Sequence, residues 1–212
     1  MPTPAAFWDK VADKYDANTV KGPNYAARLD RAAQWFGPDA RLLDLGCAGG
    51  HITLDLAPRV GRVHGVDISP KLIDIARKRA QDLGVTNAEF TCGAVDELAF
   101  EPASFDGVTA YSLLHLVPDV PETLRWIFAV LRPGGRLVIE APCREELHAL
   151  WRAVIAVMRA VGKAPAVKAY PQAEYEAMLR DAGFEVEEVR IDNPKSMARR
   201  FLARKPGSDA PA

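Results

Sequence analysis

Leu42-Leu43-Asp44-Leu45-Gly46-Cys47-Ala48-Gly49-Gly50-His51 reads as an apolar strand that ends in an acidic residue and a turn of small residues, then enters a helix. Small residues in such a turn let a ligand approach the backbone closely. About 20 residues further on, Val63-His64-Gly65-Val66-Asp67 is a second strand ending in a carboxylate, a group suited to accept hydrogen bonds from both hydroxyls of a ribose. A dinucleotide fingerprint would want glycine where Ala48 and His51 stand, so that reading fails at two of its three glycines. A bulky His51 would also crowd a pyrophosphate.

These residues need strands to carry them to one edge and helices to cover the faces, and the chain supplies both in alternation. Arg41–Leu45, Arg62–Val66, Ala88–Cys92, Phe105–Tyr111 and Arg136–Glu140 are short apolar runs separated by helical patterns, as in a parallel sheet covered by helices. Ser69 is an N-cap before Pro70, and Leu72, Ile73, Ile75, Ala76 and Ala80 recur at helical spacing until about Gly84. Pro121 opens a helix through Leu131, stopped by Pro133-Gly134-Gly135, whose turn launches the next strand. Upstream, residues 5–17 and 24–36 read as two helices split by Lys21-Gly22-Pro23, with Phe7, Trp8, Val11 and Tyr15 on one side of the first. Such a segment can cap a cleft. Downstream come a rather apolar helix over 145–161, another over 172–182, a strand over 184–191 and a last strand near 200–204. The apolar helix reads as core packing before it reads as a lid. The expected organisation is one domain over 1–205, made of a helical cap (1–36), a ligand-binding core (40–140) and acceptor-side helices with C-terminal strands (141–205), followed by a disordered tail (206–212).

With 212 residues, 49% of them hydrophobic and 26% charged, the chain suits one globular domain with a sizeable core. Its 27 Lys and Arg against 28 Asp and Glu create no overall field to recruit nucleic acid or an anionic membrane surface. Met1-Pro2-Thr3-Pro4 lacks the basic-then-apolar order of a signal peptide, and no apolar run nears the ~20 residues that span a bilayer. A cytoplasmic protein without integral membrane association is expected. Cys47, Cys92 and Cys143 are far apart and show no metal or disulfide spacing, so buried reduced thiols are expected. Nothing in the sequence speaks to oligomeric state.

Three further motifs follow the same order along the chain. Ser104-Phe105-Asp106-Gly107-Val108 with Thr109 to Leu116, the Leu131-Arg132-Pro133-Gly134-Gly135 turn, and the N-terminal Phe7-Trp8-Asp9-Lys10-Val11-Ala12-Asp13-Lys14-Tyr15-Asp16 join the glycine-rich turn. Together they resemble the class I S-adenosylmethionine-dependent methyltransferases, from about Phe7 to Arg204. The resemblance implies an α/β, Rossmann-like fold: a seven-stranded, mostly parallel sheet with one antiparallel strand and helices on both faces. It implies S-adenosyl-L-methionine as cofactor, S-adenosyl-L-homocysteine as product, and a small-molecule acceptor methylated on O, N or C. Asp44 with Gly46, Cys47, Ala48 and Gly50 would hold the methionine end, Asp67 and Ile68 the ribose and adenine, and Ala94 and Val95 the adenine edge. Tyr15 would close the methionine end. Tyr111 and Ser112, from their place at the strand end, read either as lining the methyl-transfer path or as ordinary strand-end packing. Many relatives carry an acidic residue where this chain has Ala94, which leaves Asp96 as the substitute for the adenine amino group. Metal-dependent members need an acidic cluster where this chain has Tyr111-Ser112-Leu113-Leu114-His115, so no metal is expected.

Methyl transfer from a sulfonium is an in-line displacement with an already activated leaving group, so positioning carries much of the catalysis and no covalent nucleophile is required. A hydroxyl or protonated amine acceptor needs a base. His115, shortly after the fourth strand on the carboxyl edge, is the candidate, with helix-start packing as its other reading. His51 belongs to the loop, His64 to a strand and His148 to the helix over 145–161. Arg199, Arg200, Arg204 and Lys205 read as solvated charges on an edge strand. A nicotinamide-dependent oxidoreductase is disfavoured by Ala48, His51 and the lack of a Tyr-x-x-x-Lys pair. A non-catalytic S-adenosylmethionine binder would keep Asp44, Gly46 and Asp67.

Overall fold

The structure is a computed structural model that describes residues 3–19, 25–143, 167–191 and 198–207. Thr3 caps helix α1 (Pro4–Ala17) by accepting from the Ala6 N–H, with proline at the start of the first turn. Helix α2 (Tyr25–Phe36) leads to strand β1 (Arg41–Leu45), and the small-residue turn enters the short α3 (His51–Leu56). Strand β2 (Arg62–Asp67) is followed by α4 (Pro70–Asp82), whose Ser69 cap accepts from Leu72 N–H as the sequence predicts. Strands β3 (Ala88–Cys92) and β4 (Phe105–Tyr111) precede α5 (Val120–Val130), capped by Asp119. Strand β5 (Leu131–Pro142), α6 (Gln172–Asp181), β6 (Glu185–Arg190) and β7 (Ala198–Arg204) complete the described chain.

The sheet has seven strands in the order β3-β2-β1-β4-β5-β7-β6. β1 through β5 pair in parallel, and β7 runs antiparallel to both β5 and β6. One antiparallel strand among seven is the expected architecture. β1 sits between β2 and β4, so the winding direction reverses there, and an open α/β sheet has its ligand crevice at the carboxyl ends beside that switch point.

Among the described residues three buried apolar clusters cover the faces. Phe105, Val108, Leu124, Ile127, Leu137, Ile139, Tyr175 and Phe201 belong to the larger core under α5 and α6, Leu29, Ala32, Leu42, Leu56 and Val63 to a second under α2 and α3, and Cys47, Ile73, Ala76 and Phe90 to a third under α4. α2 docks on bare backbone: a Cβ at Gly107 would collide with the Phe36 ring and lie 2.8 Å from Leu42 Cδ2. Gly107→Ala is therefore expected to destabilise the fold by about 1–3 kcal/mol, read from the urea midpoint. An unchanged midpoint would mean that Phe36 can retreat without loss.

Several expectations need correction. β5 begins at Leu131, not after the glycine turn, because Leu131 still pairs with Phe105 and the turn residues form an irregularity before Arg136 pairs with Gly107. Gly134, at φ +78°, donates its N–H to Lys205 O at 2.9 Å and also to Pro206 O, so the chain is held through residue 206, and only 208–212 of the expected tail lie outside the described residues. β7 is interior. Its Arg200 is 4% exposed and pairs with Glu140, and Lys205 donates to Phe128 O and Leu131 O at the end of α5. Cys47 and Cys143 are buried as expected, but Cys92 is exposed. The helix expected over 145–161 lies outside the described residues.

Candidate cofactor site

After β1 the backbone turns left-handed at Gly46 (φ +71°), Ala48 (φ +48°) and Gly50 (φ +77°). Gly46 and Cys47 both donate to Val66 O, at 2.8 and 3.0 Å, which seats the turn on the end of β2. Asp67 then ties two elements together. Its Oδ2 accepts from Ala48 N–H at 3.0 Å, and its Oδ1 accepts from Ser69 N–H at 2.9 Å at the start of α4. Each carboxylate oxygen keeps a second lone pair for a ligand. Burial raises the Asp67 pKa, and the backbone donors oppose that rise.

A cleft of about 610 Å³ opens at this edge. Gly46, Ala48, Asp67 and Ile68 line one side of it, with Ala94, Val95 and Tyr111 from the next strand ends. α1 contributes Tyr15 and also Trp8, whose rings meet edge-on at 5.3 Å. The seven-residue spacing that put Trp8 and Tyr15 on one side of α1 was the signal for both. Burial and the neighbouring Asp67 raise the Tyr15 pKa, so its hydroxyl stays a donor.

A row of carboxylates at 9, 13 and 16 latches α1 onto the core. Asp9 accepts from the Ser69 hydroxyl and Lys71 N–H, Asp13 pairs with Lys71 Nζ at 2.6 Å, and Asp16 pairs with Arg79 at 2.6 Å and His51 Nε2 at 3.1 Å. Arg79 also donates to Gly49 O, and a Cβ at Gly49 would collide with the Asp16 carboxylate. Glycine at 49 thus serves the latch. His51 belongs to it as well.

Three residues expected to touch the ligand lie beneath the cleft. Asp44 is buried, with Oδ2 accepting from the Thr53 hydroxyl at 2.6 Å and Oδ1 from Thr109 at 2.7 Å; burial raises its pKa to about 6. Cys47 is buried in a cluster with Phe90, and Gly50 is small because a Cβ there would press on Ala76 and the Phe90 ring. They shape the turn from below.

Ser112 lines the cleft at a left-handed φ of +55°, held by its N–H donating to Glu140 O at 2.8 Å. That bend brings the Leu113 side chain against Gly46, where a Cβ would sit 3.1 Å from Leu113 Cδ1. His115 is outside the cleft lining. Burial lowers its pKa to about 4, and its buried Nδ1 has no hydrogen-bond partner among the described residues. His64 bonds Thr91 within the sheet, while His148 and the Asp96 side chain lie outside what is described. Among the described residues no group of three metal-ligating side chains gathers, and no helix is long and apolar enough to cross a membrane.

The family model described as a methyltransferase domain matches residues 37–183, which hold the turn, Asp67 and all of the cleft lining except that from α1. The chain belongs to the class I S-adenosylmethionine-dependent methyltransferases. This methyltransferase is similar to the ubiquinone biosynthesis O-methyltransferase of Xanthomonas axonopodis pv. citri (strain 306), with 32% identity over 191 residues, 86% of this chain and 77% of that one. The same-named protein of Xanthomonas euvesicatoria pv. vesicatoria (strain 85-10) is 33% identical over the same shares. Among solved structures, an S-adenosylmethionine-dependent methyltransferase from Mesorhizobium loti superposes with a TM-score of 0.72 at 22% identity, covering 86% of this chain and 98% of that chain. The cyclase SpnF superposes at 0.78 and 18% identity, over 96% and 95% of the two chains, so the fold alone does not set the reaction. Family membership does: the methyltransferase uses S-adenosylmethionine, releases S-adenosylhomocysteine and methylates a small molecule.

Proposed function

We propose that the methyltransferase works in the cytoplasm as a single domain and methylates a phenolic hydroxyl on a small aromatic acceptor of the quinone-precursor kind. The observation that carries this reading is its similarity, over 86% of the chain, to relatives named for O-methylation in ubiquinone biosynthesis. The apolar stretch Leu113, Leu116 and Val117 along the cleft beside Tyr111 suits an aromatic ring. Nucleic acid is not part of the reading, since the net charge is −1.

S-adenosylmethionine supplies the methyl group on a positively charged sulfonium. On the protein side, the Asp67 carboxylate accepts from the ribose hydroxyls with the lone pairs that Ala48 and Ser69 leave free. Ile68, Ala94 and Val95 pack the purine, and the Gly46–Ala48 turn brings its backbone close to the methionine end, with Tyr15 closing over it. Tyr111 and Ser112 line the transfer path, where exclusion of water and a fixed approach angle do most of the work. His115 is the proposed base. Burial keeps its imidazole neutral across the physiological range, but a pKa lowered to about 4 also weakens it as a proton acceptor, so the role requires the ring to turn toward the cleft that it does not line.

The test is incubation with S-adenosylmethionine and a series of catechols and phenols bearing apolar tails, with products read by mass spectrometry. O-methylated products are expected; transfer to amine probes alone would overturn the oxygen assignment, and cofactor binding without transfer to any probe would favour a non-catalytic binder. His115→Asn is expected to slow turnover on the best probe about a hundredfold, within the usual range for a general base, with unchanged affinity for S-adenosylhomocysteine. Equal rates would return His115 to a packing role.

A further inference from the structure

We propose that Glu97 reads the exocyclic amino group of the adenine; this rests on the cofactor placement above. Apolar walls pack any purine and do not separate an amino from a keto substituent at the same ring position. A carboxylate does, because it accepts from the amino N–H and repels the keto oxygen. Ala94, on the proposed adenine edge, has no side-chain polar atom to offer.

The local geometry supplies a replacement. After β3 the chain passes Gly93 and makes a single 3-10 turn, Val95–Glu97, with Ala94 as its N-cap and Glu97 N–H donating to Ala94 O at 3.0 Å. That hydrogen bond closes the turn and brings Glu97 back beside Ala94, the extended residue that precedes it. The longer glutamate side chain recovers the reach that the alanine lacks.

The turn is also held in place. Leu98 packs against the larger core and against Gly93, where a Cβ would sit 3.2 Å from Leu98 Cδ2. Ala94, Val95 and Glu97 all line the same cleft. Among the described residues the Glu97 carboxylate makes no hydrogen bond or ion pair. Of the charged α5 residues at the cleft, Glu122 carries the same sign as Glu97, and Arg125 forms no ion pair with it among the described residues.

The experiment titrates S-adenosylhomocysteine and S-inosylhomocysteine, in which a keto oxygen replaces the amino group, into the wild type, E97A and E97A/A94D. The wild type is expected to prefer the adenosyl compound by roughly tenfold or more, and E97A to lose about tenfold for that compound alone, as removal of a charged acceptor implies. A94D in the E97A background is expected to restore the preference from one turn back. Affinity for the inosyl compound that holds or rises in E97A shows that the cleft is intact. An E97A variant that keeps the wild-type ratio of the two affinities overturns this inference alone, whereas a wild type that binds neither compound overturns the cofactor placement and this inference with it.

Discussion

Asp67→Ala is expected to weaken S-adenosylhomocysteine binding by on the order of a hundredfold, since two hydrogen bonds to a charged acceptor disappear together. The effect is large because the carboxylate is already oriented. Ala48 and Ser69 hold one oxygen each at 3.0 and 2.9 Å, so the ligand meets a fixed acceptor and spends no entropy ordering it. Stability should change little: the two backbone N–H groups can turn to water at the cleft, and burial already raises the pKa of the carboxylate, which means that its charge is disfavoured in the free protein. The same direction sets the pH response. Ligand binding needs the ionised form, so affinity should fall as pH drops through a pKa that lies above the ordinary 3.8. Asp67→Asn should rank with Ala, because an amide offers only one acceptor to the two backbone donors that now share the carboxylate. Calorimetric titration gives all three affinities, and an Asp67→Ala protein that binds within threefold of wild type would remove the ribose from this residue.

Much of this site was legible because the signals are local. The apolar runs that became β1 to β4, the Ser69-Pro70 start of α4 and the carboxylate closing β2 are all read from a handful of consecutive residues. What could not be read are the pairings across long stretches of chain. Asp44 reads as a ligand because it ends a strand before a glycine turn; the structure places it beneath the cleft, with its oxygens bonded to Thr53 and to Thr109, the latter 65 residues away. Arg79 reaches Asp16 across 63 residues, and that bond explains Gly49 better than any ligand does. Arg200 reads as solvated if β7 is an edge; β6 lies outside it, and Glu140 on β5 pairs with Arg200. Local pattern fixes which face a side chain takes, and only topology decides what stands opposite.

Asp44→Asn should make the cofactor-free protein more stable at pH 7.5. The folded state raises the Asp44 pKa from 3.8 to about 6, with burial as the main cause, so the folded protein holds this proton more tightly than the unfolded chain does. The contribution is therefore neutral below pH 4, turns progressively unfavourable between about pH 4 and 6, and stays unfavourable above that. At its full extent the cost is on the order of 3 kcal/mol. Asparagine avoids that cost, and the Thr53 and Thr109 hydroxyls can reorient so that one donates to the amide oxygen and the other accepts from the amide nitrogen. Urea midpoints at pH 4 and 7.5 test this: the variant's advantage should be present at the higher pH and absent at the lower. A variant less stable than wild type at both would mean that the two threonine bonds outweigh burial. The carboxylate's use lies in the charge it places below the Gly46–Ala48 turn, where the cofactor's sulfonium and ammonium are proposed to rest. S-adenosylhomocysteine lacks the sulfonium charge, so Asp44→Asn should weaken S-adenosylmethionine more than its product and narrow the difference between them. Gained stability together with lost preference for the charged cofactor would mark Asp44 as a buried anion kept for its field and not for its contacts, since neither oxygen needs to touch the ligand for that field to act.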